Sequence, residues 1–230
     1  MITPAARRLD AGLLTMAGFL TTAYLLAPAL LGPSRAEDFP RAFVHYWNEG
    51  SSSFPSDLQP IVDHQFRSHL IRTAIALLLL AALLTLLVRL PRYRVLLGVV
   101  CLVAAVLLIA NVQGFVSPFG TLLPHLASHP AEPGLPAALT QVRDQITNGP
   151  RSPVLDVMLD QYRRWHVVKA VLIGILSASL AGLAVMSWPR RRVISLLTAA
   201  LGVAALVVVA ADVTTVADPD APFLLLLQGD

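Results

Sequence analysis

Two stretches of this 230-residue chain carry the same order of ionisable side chains at a constant offset of 97 residues. Asp63, Arg67, His69 and Arg72 are matched by Asp160, Arg164, His166 and Lys169. At about 100° per residue on a helix, Gln65, His69 and Arg72 make one polar stripe, and Tyr162, His166 and Lys169 its counterpart. Histidine titrates near neutrality and is a common metal ligand, so such stripes suit proton transfer or the binding of copper, zinc or haem iron. On facing helices, His69 and His166 would form an axial pair. All six histidines, His45, His64, His69, His125, His129 and His166, fall at the same ends of the apolar stretches or in the segments between them. The spacing of His125 and His129 is that of helical ligands, but Pro124 and Pro130 allow one turn at most. The pairs Asp63 with Arg67 and Asp160 with Arg164 read as surface i,i+4 pairs.

The elements that position these residues are membrane helices. The chain is 56% hydrophobic and 13% charged, with a mean hydropathy of +0.68, which excludes an ordinary soluble domain. Its net charge of +3 is small and scattered, so nucleic acid is not expected as a partner. Crossing a hydrocarbon core of roughly 30 Å takes about 20 apolar residues. Five runs qualify, near 11–32, 69–89, 95–113, 167–188 and 193–212, so the expected fold is an all-α integral membrane bundle forming a single domain over 1–230. Arginines gather on the cytoplasmic side of membrane proteins. Arg7 and Arg8, then Arg89, Arg92 and Arg94, then Arg190, Arg191 and Arg192 all satisfy that rule if the amino terminus is cytoplasmic and the carboxyl terminus outside. The loops 33–68 and 114–166 are then extracytoplasmic and form a partly helical cap. Ser34-Arg35-Ala36 resembles a signal cleavage site, but the apolar stretch before it exceeds the roughly 7–15 residues of a signal peptide, so the first span is read as retained. Sixteen arginines against the single Lys169, with much Ala and Leu, point to a bacterial plasma membrane.

A further shift of one residue superimposes Pro91, Arg92, Arg94 and Val95 on Pro189, Arg190, Arg192 and Val193. The units 60–112 and 157–212 therefore read as two copies of one hairpin, related by an axis along the membrane normal. Each copy begins outside the membrane. Pro60 can open a helix that continues into span two, and Ser152 with Pro153 makes an N-cap and first turn leading into span four. Phe39, Phe43, Tyr46 and Trp47 share a helical face that rests on the membrane surface or on the other loop, and Gly50 ends that helix. A short helix is expected near 136–147. The apolar tail Phe223 to Leu227 is too short to span and is expected to dock on the cap or on a partner.

Counting from the arginine turns, Asn111 and Asp212 reach the height of the two histidine stripes. Ionisable groups in that position are costly unless paired, and they often line a functional cavity. His69, His166, Arg72, Lys169 and Asp212 are therefore the candidate catalytic residues, with His69 and His166 as candidate metal ligands. Asn111, Tyr162 and Trp165 are candidates for contacting substrate. The plainer alternative is that Arg72 and Lys169 reach outward to lipid headgroups. No phosphate-binding glycine loop, dinucleotide fingerprint, zinc-protease or serine-hydrolase motif occurs, and the lone Cys101 excludes a disulfide within the chain.

Pro28-Ala29-Leu30, Asn111-Val112 and Trp165-His166-x-x-Lys169 are similar to motifs of the small multi-span membrane proteins grouped with bacterial and fungal anthrone oxygenases. The resemblance implies an outward-facing pocket that oxygenates a flat, lipophilic, electron-rich molecule, with no bound cofactor required. His166, His69 and either Arg72 or Lys169 would then abstract a proton and steady the oxyanion. The reading from the residues is thus a membrane oxidoreductase of oxygenase type, its cofactor open between copper, haem and none. Its partners are membrane lipids and a lipophilic small molecule. An accessory subunit of a larger membrane or envelope complex, held by partner membrane subunits, is the alternative. A transporter ranks third, because no span centre carries a charge.

Overall fold

A computed structural model describes residues 4–32, 35–128, 132–189 and 191–228, with side chains from residue 8 onward. Ser34, His129, Arg190 and the side chain of Arg7 lie outside the described residues. The protein is 84% helical without strands among the described residues, and five helices are long and apolar enough to cross a membrane. These are α1 (Pro4–Leu30), α3 (Gln59–Arg89), α4 (Arg94–Val116), α7 (Pro153–Ser187) and α8 (Arg192–Ala217). The cap elements are α2 (Phe39–Glu49), α5 (Pro124–Ala127), α6 (Leu135–Thr147) and α9 (Asp220–Gln228).

At about 1.5 Å per residue, the 31 residues of α3 and the 35 of α7 are roughly 46 and 52 Å long, well beyond a ~30 Å hydrocarbon core. Each therefore runs unbroken from the cap into the bundle. The start of α7 follows from its sequence: the Ser152 hydroxyl accepts a hydrogen bond from the Leu155 amide at 3.3 Å, and Pro153 occupies the first turn. Gly50 ends α2 in the left-handed region, at φ 69°, where a side chain would be strained.

The helices pack in the order α1, α3, α4, α7, α8, so α4 stands between α3 and α7 and joins the two hairpins. Between α1, α3 and α4 the seam holds Ala17, Leu20, Leu79, Leu83, Leu86, Leu97, Cys101 and Ala104. Asp10 and Arg89 pair at its arginine end. Small residues bring α7 and α8 together. A Cβ on Gly202 would lie 3.5 Å from Leu180, and the Ser177 hydroxyl donates to the Gly202 carbonyl at 2.8 Å. The outward faces carry Leu77, Leu78, Val99, Ile175, Leu206 and many others exposed, as lipid contact requires.

The cap has its own core. Phe39, Phe43, Tyr46 and Trp47 of α2 are buried against Phe119, Leu122, Leu135, Val142, Leu155 and Met158. The aromatic face of α2 thus lies on the other loop, not on a membrane surface. The Trp47 indole donates to Gln141 at 2.7 Å, and burial pushes the unpartnered Tyr46 phenol up to about 12. The tail folds as α9 with Phe223 and Leu227 inside this core, and the Arg151 guanidinium holds both Asp220 oxygens at 2.9 and 2.7 Å. One expectation fails in detail. Asp63 accepts a hydrogen bond from the Gln59 amide at 2.8 Å and makes no ion pair with Arg67, because Gln59 stands one turn earlier on the same face. Asp160 and Arg164 do pair, at 2.9 Å.

Candidate functional site

The histidine stripes lie about 30 Å from the arginine ends of α3 and α7, where the bundle meets the cap. Tight packing places His69 against α4. A Cβ on Gly114 would come within 2.3 Å of the His69 ring, so glycine makes room for it. The Nδ1 of His69 is 3.1 Å from the Asn111 side-chain oxygen, and its Nε2 is 3.1 Å from the Gln65 amide nitrogen. Asn111 donates in turn to the Tyr24 hydroxyl and to the Leu107 carbonyl, both at 2.7 Å. Gln65 donates to Thr121 at 3.2 Å, and Thr121 donates to the Pro118 carbonyl at 2.8 Å. Every link is consistent with a neutral imidazole protonated on Nδ1, and both ring nitrogens are engaged. Arg72 stacks over Tyr24 with its guanidinium carbon 5.9 Å from the ring centre and makes no ion pair among the described residues.

The second network is charged. The Nδ1 of His166 lies 2.7 Å from Oδ1 of Asp212, and the Lys169 ammonium donates to the same oxygen at 3.0 Å. Asp212 is 2% exposed, His166 8%. A carboxylate in an apolar bundle needs a cation such as Lys169, since an unpaired buried charge costs several kcal/mol, roughly 3–5 on removal of one partner. Both donors use one oxygen. Among the described residues the other, Oδ2, is buried without a hydrogen-bond partner, and so is His166 Nε2. Tyr162 and Trp165 meet the imidazole edge-on, with ring centres at 4.5 and 4.8 Å, and Lys169 lies 5.3 Å over the Trp165 ring. Phe223 of α9 backs Tyr162 at 5.1 Å, so the cap closes over this network. Trp165 and Lys169 are half-buried, and through them the site reaches the molecular surface.

An aspartate that accepts from Nδ1 fixes both the tautomer and the orientation of an imidazole, leaving Nε2 as the free base. The second network therefore has the form of an oriented proton acceptor. The first saturates its imidazole and so has the form of a structural hub, although Nε of the neighbouring Arg72 is buried without a hydrogen-bond partner among the described residues.

The structure brings His166, Lys169, Asp212, Tyr162 and Trp165 together, and separately His69 with Asn111 and the neighbourhood of Arg72. No hydrogen bond or ion pair joins the two sets among the described residues. The sequence led us to expect one cluster with His69 and His166 as an axial pair of metal ligands, whereas the contacts among the described residues form two networks. Helix α4 intervenes, both Nδ1 atoms are occupied, and Gln65 takes the Nε2 of His69. Among the described residues no three His, Cys, Asp or Glu side chains converge as a ligand set. Asn111, expected beside substrate, is spent on His69, Tyr24 and Leu107. Tyr24, Gln65's reach to Thr121, and Gly114 were not singled out from the sequence. The lone phenol of the first span was the available pointer to Tyr24. Gly114 falls on Asp212 at the 98-residue offset that aligns the two turns.

The fold and site together define a five-span α-helical membrane protein with a helical cap closed over a buried His-Asp-Lys network. No known family, curated protein or solved structure matches the chain.

Proposed function

We propose that this protein is a membrane oxidoreductase of oxygenase type, acting on a flat, lipophilic, electron-rich substrate at the cap end of the bundle. One observation carries the reading: His166 is held through Nδ1 by Asp212, while Nε2 is buried without a hydrogen-bond partner among the described residues. A base so placed removes a proton from an acidic C–H or a phenol, and Asp212 stabilises the imidazolium that forms. Tyr162 and Trp165 offer ring faces and edges to a flat molecule, and Lys169 supplies positive charge near the developing oxyanion. Dioxygen is the oxidant. The carbanion transfers its electrons to it, one oxygen atom remaining in the product as a carbonyl and the other leaving as water. The motif likeness to anthrone oxygenases supports the same class of substrate.

In this reading the protein sits in a bacterial plasma membrane with the arginine turns inside and the cap outside, in accord with the charge rule. The two hairpins are copies of one unit, each placing a histidine from its first helix against its second. The accessory-subunit alternative has less to stand on, because the apolar tail that was to hold a partner is folded into the cap.

The test is oxygen uptake by detergent-purified protein with a panel of anthrones and hydroquinones, alongside an absorption spectrum and metal analysis. Turnover that His166→Ala abolishes in a folded protein is expected. Turnover unchanged in that variant, or a stoichiometric metal or Soret band on which activity depends, would overturn His166 as the free base.

A further inference from the structure

At the arginine end the two hairpins diverge, and a cleft of about 550 Å³ opens between α4, α7 and α8. Its mouth is set by Arg94 and Arg191, and its walls by residues such as Val99, Leu102, Leu183 and Leu197. Gly98 borders open space, since a Cβ there would meet nothing within 4 Å. The few polar groups on the walls are already satisfied. Thr198 donates to the Ile194 carbonyl at 2.8 Å and Ser187 to that of Ala184 at 3.2 Å, so the cleft does not ask for water. Neither arginine forms an ion pair among the described residues, because the acidic group at this end, Asp10, is held by Arg89.

From Arg94 to Leu102 along α4, and from Arg191 to Leu201 along α8, the groove runs roughly 12–15 Å, about half the hydrocarbon thickness and so the depth of one leaflet. An apolar slot one leaflet deep, with two unpaired guanidinium groups at headgroup level, matches a phospholipid whose head carries net negative charge. Guanidinium binds phosphate through paired donors, and basic pockets between membrane helices are suited to anionic headgroups. We infer that the cleft between α4, α7 and α8 is a binding site for an anionic phospholipid, its phosphate on Arg94 and Arg191 and an acyl chain along Gly98. Such a lipid would fill the gap between the hairpins and hold them together from the end opposite the His166 network.

The experiment is thermal unfolding of the full chain in a neutral detergent, titrated with dioleoyl phosphatidylglycerol or dioleoyl phosphatidylcholine. The anionic lipid should raise the midpoint saturably, and the zwitterionic one should not at the same concentration. Arg94→Gln with Arg191→Gln should weaken the apparent affinity about tenfold or more, whereas Arg92→Gln, outside the groove, should leave it within about twofold. Gly98→Phe fills the slot without touching a charge and should abolish the effect while the protein stays folded. Equal stabilisation by phosphatidylcholine would overturn the proposal. So would an effect that survives Gly98→Phe, that soluble glycerol phosphate reproduces, or that Arg92→Gln reduces as much as the double variant does.

Discussion

The two hairpins place a histidine at the same height on their first helix and turn its Nδ1 toward the second helix, yet they finish the arrangement differently. In α3 and α4 the acceptor is the neutral Asn111, and Gln65 closes the other ring nitrogen. In α7 and α8 the acceptor is Asp212, Lys169 balances its charge, and Nε2 has no hydrogen-bond partner among the described residues. The difference separates two uses of one geometry. Saturating an imidazole with neutral groups locks helices together, because each buried polar atom has its bond. Supplying a carboxylate and leaving Nε2 empty retains an orphaned acceptor that costs about 1–3 kcal/mol of desolvation.

That contrast can be broken most directly by exchanging the histidines one at a time. His166→Ala should lower oxygen uptake by about 10²–10⁴-fold, the usual contribution of a positioned acid–base group. His69→Ala should leave the rate per folded molecule within a few-fold and act on stability instead. Equal losses in both variants would make the networks functionally equivalent. Asp212→Asn comes next. It keeps the shape but can present a donor to Nδ1 and removes the charge that balances Lys169, so the rate should fall about 10–100-fold. Asn111→Asp on the other side should not confer activity, because Gln65 still occupies Nε2. A smaller effect is expected from Gly114→Ala, whose Cβ would overlap the His69 ring. Overpacking of this kind costs about 1–3 kcal/mol, read as a lower unfolding midpoint in detergent. Combining it with His69→Ala should cost less than the sum, since the obstacle is gone. Strict additivity would mean the ring is not what Gly114 accommodates.

The vertical positions of these residues were legible in the sequence, and their pairings were not. Apolar runs bounded by arginines fix where each helix crosses the membrane, so His69, His166, Asn111 and Asp212 fall at one height by counting alone. The same local chemistry gave the Ser152-Pro153 start of α7 and the Gly50 end of α2. Which of four equally high groups meet depends on the rotation and order of the helices, set by contacts such as Gly202 against Leu180 that have no periodic signature. With α4 between α3 and α7, a single cluster became two. Asp63 illustrates the same limit on a smaller scale, where Gln59 competes with Arg67 at equal spacing on one helix. The docking of α9 was legible only as an alternative, because an apolar tail has the same composition whether it covers its own cap or another protein.

The mildest test uses a histidine–aspartate pair that water reaches. In the cap, His45 has Nδ1 3.0 Å from Asp57 and Nε2 3.2 Å from Glu49, with about half its side chain exposed. Both ring nitrogens can donate to carboxylates only when the imidazole is charged. The Asp57 hydrogen bond, reinforced by the charges of Asp57 and Glu49, raises its pKa above the ordinary 6.5. Because the folded value is the higher one, the pair's stabilisation is complete below the unfolded value near 6.5 and disappears as pH rises through the raised value. Solvent screens so exposed a pair, so the change in unfolding midpoint should be slight, and the sensitive reading is the NMR titration of the His45 ring. That midpoint should lie above 6.5 and return toward it in Asp57→Asn. A titration already at the ordinary value would mean Asp57 does not hold the ring in solution. The expected result would show this chain using one residue pair in two settings: in water two carboxylates, Asp57 and Glu49, face one imidazole, whereas under the cap one carboxylate, Asp212, is shared between His166 and Lys169.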